Sequence, residues 1–182
     1  MIVTAVSWIW IGISALLWGF AALSLLKKIE QSKYLSIYLV LVLGLAALTV
    51  YSEVYSLFAG VNLMANAVVL VADIIIAVIM RRAVILQIKE WIKDAGLARI
   101  IAISLIGMLV CLLSAMVVTN GDSYLYHQQA IHWIYEYGVV KGLGNLHTRF
   151  AFNSAFLCLQ TLFSVPFAVN GMSLHSLNGF IV

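Results

Sequence analysis

Charged residues are what this sequence most lacks. Asp, Glu, Lys and Arg make up 9% of its 182 residues, while 64% of the residues are hydrophobic. A soluble domain usually has about 25% charged and 45–50% apolar residues, and a disordered chain has fewer apolar residues still. The composition therefore excludes both a soluble globule and a disordered chain, and it predicts a protein that lies in a lipid bilayer.

Cysteine, proline and excess charge of one sign are also scarce. The chain has one proline, two cysteines and a formal net charge of +3. Because Cys111 and Cys158 both lie in apolar runs, we interpret them as small buried hydrophobic residues and not as a disulfide framework or a metal site. The charge excess is too small to argue for a nucleic-acid partner, and none is expected.

Five apolar runs are long enough for membrane helices, each of which needs about 20 residues. The predicted fold class is therefore all-α, a polytopic transmembrane helical bundle in a single membrane domain over residues 1–182. Residues 1–118 supply four N-terminal membrane helices, 119–149 form a loop, 150–169 form the fifth helix and 170–182 form a tail. The individual helices are expected at 5–26, 34–58, 61–80, 100–118 and 150–169.

The distribution of Lys and Arg predicts the orientation. Eight of the ten lie in two loops on one side, three over 27–33 and five over 81–99. The positive-inside rule makes this side cytoplasmic, so the N-terminus and the loop 119–149 are extracytoplasmic and the tail is inside. We expect a multi-pass protein of the cytoplasmic (inner) membrane. Apolar residues at helical spacing over 83–94 also predict a short interfacial helix in the second cytoplasmic loop.

The loop 119–149 is the long polar segment of the chain, and candidate functional residues are concentrated there. Its stretch 123–137 contains neither Gly nor Pro, which predicts an extracytoplasmic helix lying along the membrane surface. Asp122 stands where the fourth membrane helix meets this loop. Two roles stay open for this carboxylate: a helix cap, or a catalytic general base or metal ligand.

Three histidines and an arginine make the loop a candidate ligand site. His127 and His132 are five residues apart and do not share a helix face, so no metal cofactor is expected; a divalent metal held by these residues with His147 and Asp122 is the lesser alternative. Gln128 suits hydrogen bonding to a polyol. Arg149 is either a phosphate-binding residue or an interfacial anchor.

Three of the polar side chains inside the predicted membrane helices are candidates for a specific role. Asn153 is costly there unless it bonds another helix or lines a cavity, and Glu53 lies near the outer end of its helix. Asp73 lies deeper, and its open roles are a proton relay, a protonated acid and a helix-to-helix hydrogen bond, of which the last is favoured.

The segment 121–154 carries two motifs. From Asp122 it reads D-x-x-L-Y-H-x-Q-A-I-x-W, and from Gly142 it reads G-L-x-N-L-H-x-R-x-x-F-N-S. In these motifs the chain resembles a family of large bacterial polytopic membrane glycosyltransferases, similar to the GT-C superfamily. Members of that superfamily are bundles of many membrane helices, with an acidic catalytic residue in an early extracytoplasmic loop and a lipid-phosphate-linked sugar as donor.

The resemblance implies a role for each loop residue. Asp122 would be the catalytic base that deprotonates the acceptor hydroxyl. Arg149 and His147 would hold the donor phosphate, while Gln128, His127 and Asn153 would contact the sugar or the acceptor. The implied partners are the bilayer and a polyprenyl-phosphate sugar donor, used in cell-surface polysaccharide or glycolipid synthesis.

Two expectations qualify this function. Because GT-C enzymes are much longer, we expect this chain to be an N-terminal portion of a longer protein, completed by a partner chain or a missing C-terminal half. The alternative from another class is a non-catalytic helical membrane protein, such as an assembly or transport subunit.

Overall fold

The computed structural model describes residues 2–26, 35–116, 121–151, 154–168 and 176–182, apart from the side chain of Tyr124. Within these ranges four helices are long and apolar enough to cross a membrane, and shorter helices follow them. The protein is therefore an all-α polytopic bundle, as the sequence predicts. Lys27, Lys28 and Lys33, used above for the orientation, lie outside the described residues. The helices are α1 (Ile2–Leu25), α2 (Ile37–Ser56), α3 (Leu63–Ala95), α4 (Leu97–Ser114), α5 (Gln128–Tyr137), α6 (Leu143–Leu146), α7 (Ala155–Leu162) and α8 (Ser176–Ile181).

The four long helices alternate in direction along the chain. Gly44 of α2 lies against Ala15 of α1 and Gly19 lies against Val40, so the two helices are antiparallel. A Cβ atom on either glycine would overlap the facing carbonyl oxygen, and this absence of side chains lets the two backbones approach closely. α1 and α3 begin, and α2 and α4 end, at one end of the bundle, which we call the loop end.

The third helix is longer than predicted. The sequence predicts a membrane helix over 61–80 and a separate interfacial helix over 83–94, but α3 runs unbroken over Leu63–Ala95. Asn62 begins it by accepting a hydrogen bond from the Met64 N–H, at 3.0 Å, and Gly96, with a φ of 69°, ends it. At Arg81 and Arg82 the sequence becomes more polar, but the backbone stays helical because arginine is a good helix former. At 1.5 Å per residue the helix is about 50 Å long.

The predicted fifth membrane helix, 150–169, differs most from the structure. α7 has only 8 residues, and it is buried from Cys158 to its end. Its C-terminal end packs in the core beside Ile11 and Val69, yet Phe167 lines the same cavity as Val3 at the loop end. The chain thus enters the bundle from the loop end and turns back. Pro166 begins a 3₁₀ turn there, and the preceding Val165 has a φ of 37°, a strained value for a β-branched residue.

The tail also differs from its prediction. It is expected at the cytoplasmic end, but its described part, residues 176–182, lies at the loop end. The hydroxyls of Ser176 and Ser7 are 2.7 Å apart, and the indole N–H of Trp8 donates to the carbonyl of Ser176 at 2.8 Å. The reason is that the chain turns back after α7 instead of crossing the bundle.

Asp73 joins α1 to α3 in the middle of the bundle. The hydroxyl of Ser14 donates to Asp73 Oδ2 at 2.7 Å, and the indole N–H of Trp18 donates to Oδ1 at 3.0 Å. Asp73 is buried, with 4% of its surface exposed. The structure confirms the helix-to-helix hydrogen bond favoured for this residue, which satisfies a carboxyl group that would be costly to bury alone.

We expect Ser14→Ala to destabilise the bundle by about 1–2 kcal/mol, because it removes one donor from a buried carboxyl group. The free energy of unfolding in mixed micelles measures this. Ser104→Ala, on an exposed position of α4, is the matched control and should have no effect. If Ser14→Ala costs the same in an Asp73→Leu background as in the parent chain, the two residues are not coupled and this interpretation is wrong.

Candidate functional site

The loop helix, residues 123–137, is docked on the turn between α2 and α3. The Val61 N–H donates to the carbonyl of Ile134 at 2.9 Å, and the Val139 N–H donates to the carbonyl of Ser56 at 2.7 Å. Gly60 and Gly138 face this contact, and a Cβ atom on Gly138 would overlap the carbonyl oxygen of Ser56. Two hydrogen bonds and two glycines therefore fix the loop helix to the bundle.

The helix predicted over 123–137 is confirmed, with an irregular first part. Ser123–His127 form a π-helical segment, and α5 continues to Tyr137. Ile131 is buried and Ile134 packs on the core, so the apolar face of α5 points into the bundle. π-helical turns occur often at functional sites, and this one supplies three residues to the pocket described next.

A polar pocket of about 240 Å³ lies between the loop helix, α7 and α8. It is open on one side, and its wall combines polar groups with apolar side chains, as ligand sites commonly do. Its floor comes from α7, which the turn at Pro166 keeps at the loop end. The lining residues are Ser123, Tyr126, His127, Ala130, Ile131, Arg149, Ser154, Phe156, Leu157, Gln160 and Asn178.

Arg149 and Asp122 form an ion pair at this pocket. Arg149 Nη1 lies 3.0 Å from Asp122 Oδ1, and the guanidinium carbon lies 4.7 Å from the centre of the Tyr126 ring. The side chains are 44% and 48% exposed, so water screens the pair and it adds little stability. Because a guanidinium has five N–H donors, further donors remain for a ligand beside the one that contacts Asp122.

The structure brings some of the predicted site residues together and leaves others apart. His127 and Arg149 line the pocket, and Asp122 reaches it through Arg149. His147 is exposed beside it, where its Nδ1 accepts the Arg149 N–H at 3.2 Å. Gln128 is half-buried on the loop helix but is not a lining residue, and Asn153 lies outside the described residues.

Among the lining residues that sequence reasoning did not select are Tyr126, Gln160 and Asn178. Gln160 is buried in α7, where only 3% of its surface is exposed. A polar residue in an apolar run is the signal that selected Asn153, and it applies equally to Gln160. No comparable signal exists for Asn178, because its position depends on the return of the chain at Pro166.

The histidines do not build a metal centre in the described part of the chain. His127 faces the pocket while His132 is exposed on another face of α5. No group of three or more His, Cys, Asp and Glu side chains placed to hold a metal ion occurs among the residues that the structure describes.

Tyr135 of the loop helix has a shifted pKa. Burial, and to a lesser extent the charge of Glu136, raise the pKa of Tyr135 above its ordinary value. This phenol therefore stays neutral through the physiological range, and it is not a residue of the pocket wall.

Comparisons with known proteins give a family but no function. A family model described as "Domain of unknown function (DUF8201)" matches residues 1–182. No curated protein matches the chain, and no solved structure matches it. The function must therefore be argued from the pocket itself.

Proposed function

We propose that this chain, which belongs to the family described as Domain of unknown function (DUF8201), is a GT-C-like membrane glycosyltransferase or part of one. It transfers a sugar from a polyprenyl-phosphate-linked donor to an acceptor hydroxyl. The observation that supports this most is the meeting of Asp122 and Arg149, 3.0 Å apart, at a polar pocket. The two residues are 27 positions apart in the chain, and their side chains are the base and the cation that such a transfer needs.

The pocket chemistry suits an anionic, hydroxyl-rich ligand. Arg149 can bind a phosphate through paired N–H donors, and charge-assisted hydrogen bonds of this kind are stronger than neutral ones. His127, Gln160 and Asn178 offer donors and acceptors for sugar hydroxyls on the same wall. Tyr126 supplies an aromatic face.

The proposed reaction is a single displacement at the anomeric carbon. The Asp122 carboxylate takes the proton of the acceptor hydroxyl as its oxygen forms a bond to that carbon. The bond from the anomeric carbon to the phosphate oxygen breaks, and its electron pair leaves with the polyprenyl phosphate. Arg149 stabilises the charge that develops on this leaving group. The phosphate binds the Arg149 donors that do not contact Asp122.

The proposal places the pocket on the extracytoplasmic face of the cytoplasmic membrane. Of the five basic residues over 81–99, four lie in the C-terminal half of α3 and one lies in the first turn of α4, at the opposite end of the bundle from the pocket. By the positive-inside rule that end faces the cytoplasm. Polyprenyl-phosphate-linked sugars are then taken from the outer leaflet.

Phosphate binding at Arg149 provides the direct test. We expect Arg149→Gln to weaken binding of polyprenyl phosphate in vesicles by about tenfold to a hundredfold, the loss expected for a charge-assisted contact. Lys141→Gln is the matched control, because Lys141 is an exposed cation of the same loop that does not line the pocket. Equal losses in both variants would indicate general attraction to an anionic surface and would contradict the proposal.

A further inference from the structure

The second half of α3 exposes a row of cations. Arg82, Lys89 and Lys93 are all exposed, and their spacing of seven and four residues places them on one face of the helix. We call these three residues the basic stripe, which is about 16 Å long at 1.5 Å per residue. Among the residues that the structure describes, none of the three forms an ion pair. The stripe therefore presents three charges that its own bundle does not neutralise.

The acidic residues of this segment lie on another side of the helix. At 3.6 residues per turn, Glu90 and Asp94 lie about 80–120° around the helix from the middle of the stripe. Val84 and Trp91, which pack on the bundle, lie on the opposite side of α3 from the stripe. The helix thus separates its positive from its negative charges, and the stripe is a surface for anions.

This half of α3 crosses the end of the bundle opposite the loop end. The indole N–H of Trp91 donates to the carbonyl of Leu35, just before α2, at 2.7 Å, and its ring lies 6.0 Å from that of Phe20. From Asp73 to Trp91 the helix advances about 27 Å, whereas their partners on α1, Ser14 to Phe20, span about 9 Å. Helices lying side by side would advance equally, so α3 crosses α1 steeply. Its second half therefore stays near the level at which α1 ends and α2 begins.

The basic stripe continues an apolar, exposed face of the first half of α3. Val71, Ile75 and Val78 precede Arg82 at helical spacing on the same face, and more than half of each side chain is exposed. In a membrane helix such a face contacts lipid tails. Apolar side chains that are equally exposed also flank the stripe; they are Ile85, Leu86 and Ile92. The boundary between hydrocarbon and headgroups suits this mixture of cations and apolar side chains, and bulk water does not.

We propose that the basic stripe binds the phosphate groups of anionic phospholipids in the leaflet at this end of the bundle. Arginine and lysine donate charge-assisted hydrogen bonds to phosphate oxygens. A zwitterionic lipid has a cation that offsets its phosphate, so the stripe prefers lipids with a net negative charge. The flanking apolar side chains enter the acyl layer beneath. This surface lies at the opposite end from the polar pocket, and its assignment does not depend on the proposed function.

Binding of phosphatidylglycerol to the full chain tests this proposal. The lipid is titrated into the protein in a neutral detergent, and the bound lipid is counted by native mass spectrometry. We expect Lys89→Gln to weaken binding by about fivefold and Lys89→Gln with Lys93→Gln by more than about tenfold, because each cation near an anionic lipid surface contributes separately. Helix content by circular dichroism should not change, because glutamine is as good a helix former as lysine. Lys89→Arg, which keeps the charge, should bind as the parent chain does.

Two neighbouring arginines provide the matched control. Arg82→Gln should weaken binding of phosphatidylglycerol as Lys89→Gln does, whereas Arg81→Gln should not, because Arg81 is an exposed cation about 100° away around the helix. Equal losses in Arg81→Gln and Arg82→Gln would indicate general attraction to a positive surface and would overturn the proposal. Phosphatidylcholine that binds as tightly as phosphatidylglycerol would reduce the contact to apolar adhesion. Poly-glutamate that binds as tightly would identify a surface for an acidic protein, and either result would also overturn the assignment.

Discussion

Alanine at Gly138 is expected to separate the loop helix from the bundle. Gly138 has a φ of 72°, and a Cβ atom there would overlap the carbonyl oxygen of Ser56 and lie 2.6 Å from that of Ala59. With a ψ of −141°, this backbone conformation is one that essentially only glycine adopts, and it costs about 1–3 kcal/mol for a residue with a side chain. The hydrogen bond from Val139 to Ser56 is displaced as well, for about 1 kcal/mol more. We therefore expect a loss of about 3 kcal/mol, with loss of the polar pocket.

The labelling rate of Cys158 measures this separation. Its surface is 5% exposed, and it lies in a small gap covered by Gly138 and Val139. Maleimide labelling of Cys158 should be much faster in Gly138→Ala than in the parent chain, while Cys111, at the other side of the bundle, should keep its rate. Gly121→Ala is the matched control, because no atom lies within 4 Å of its Cβ position. Unchanged labelling of Cys158 in Gly138→Ala would show that this contact does not hold the loop helix.

Leucine at Gly44 is expected to have the second large effect. A Cβ atom at this position would overlap the backbone of Ala15, and backbone in the middle of α1 cannot move aside as a flexible side chain can. Overpacking in a core costs about 1–3 kcal/mol, and a backbone obstacle puts this variant at the upper end of that range. The α1–α2 contact should open and the midpoint of unfolding in mixed micelles should fall.

The control for Gly44 is a glycine without neighbours. Gly107→Ala meets nothing within 4 Å and replaces a poor helix former, so it should be neutral or stabilise by about 0.5–1 kcal/mol. If Gly44→Leu unfolds at the same midpoint as the parent chain, the close approach of α1 and α2 is not the contact on which the bundle depends.

The long helices could be predicted because hydropathy reports directly on burial in lipid. Adjacent basic residues were less informative about where a helix ends, since Arg81 and Arg82 end an apolar run but not a helix. The return of the chain at Pro166 was hidden for a different reason. Residues over 158–164 are buried in protein. An apolar sequence there is therefore compatible with a short helix that enters the bundle and turns back, as well as with a helix that crosses the membrane.

The site could be predicted only in part. The loop motifs selected Asp122, His127 and Arg149, which the structure brings together. The ion pair between Asp122 and Arg149 forms because the loop folds back on itself over 27 residues. The spacing of the two residues along the chain does not predict this contact. Gln160 and Asn178 come from α7 and α8, and their place in the pocket follows from the turn at Pro166 that the sequence did not reveal.

Sugar transfer tests the proposed function most directly. Membranes carrying the full chain are supplied with polyprenyl-phosphate sugars and an acceptor, and transfer by the parent chain is compared with Asp122→Asn. Glu136→Gln is the matched control, because Glu136 is an exposed carboxylate of the loop helix, which follows Asp122, and it does not line the pocket. We expect transfer by the parent chain and by Glu136→Gln, with a loss of about 10²–10⁴-fold in Asp122→Asn. Equal transfer by Asp122→Asn, or none by any of the three, would contradict the assignment of Asp122 as the base, and the second result would favour a non-catalytic subunit.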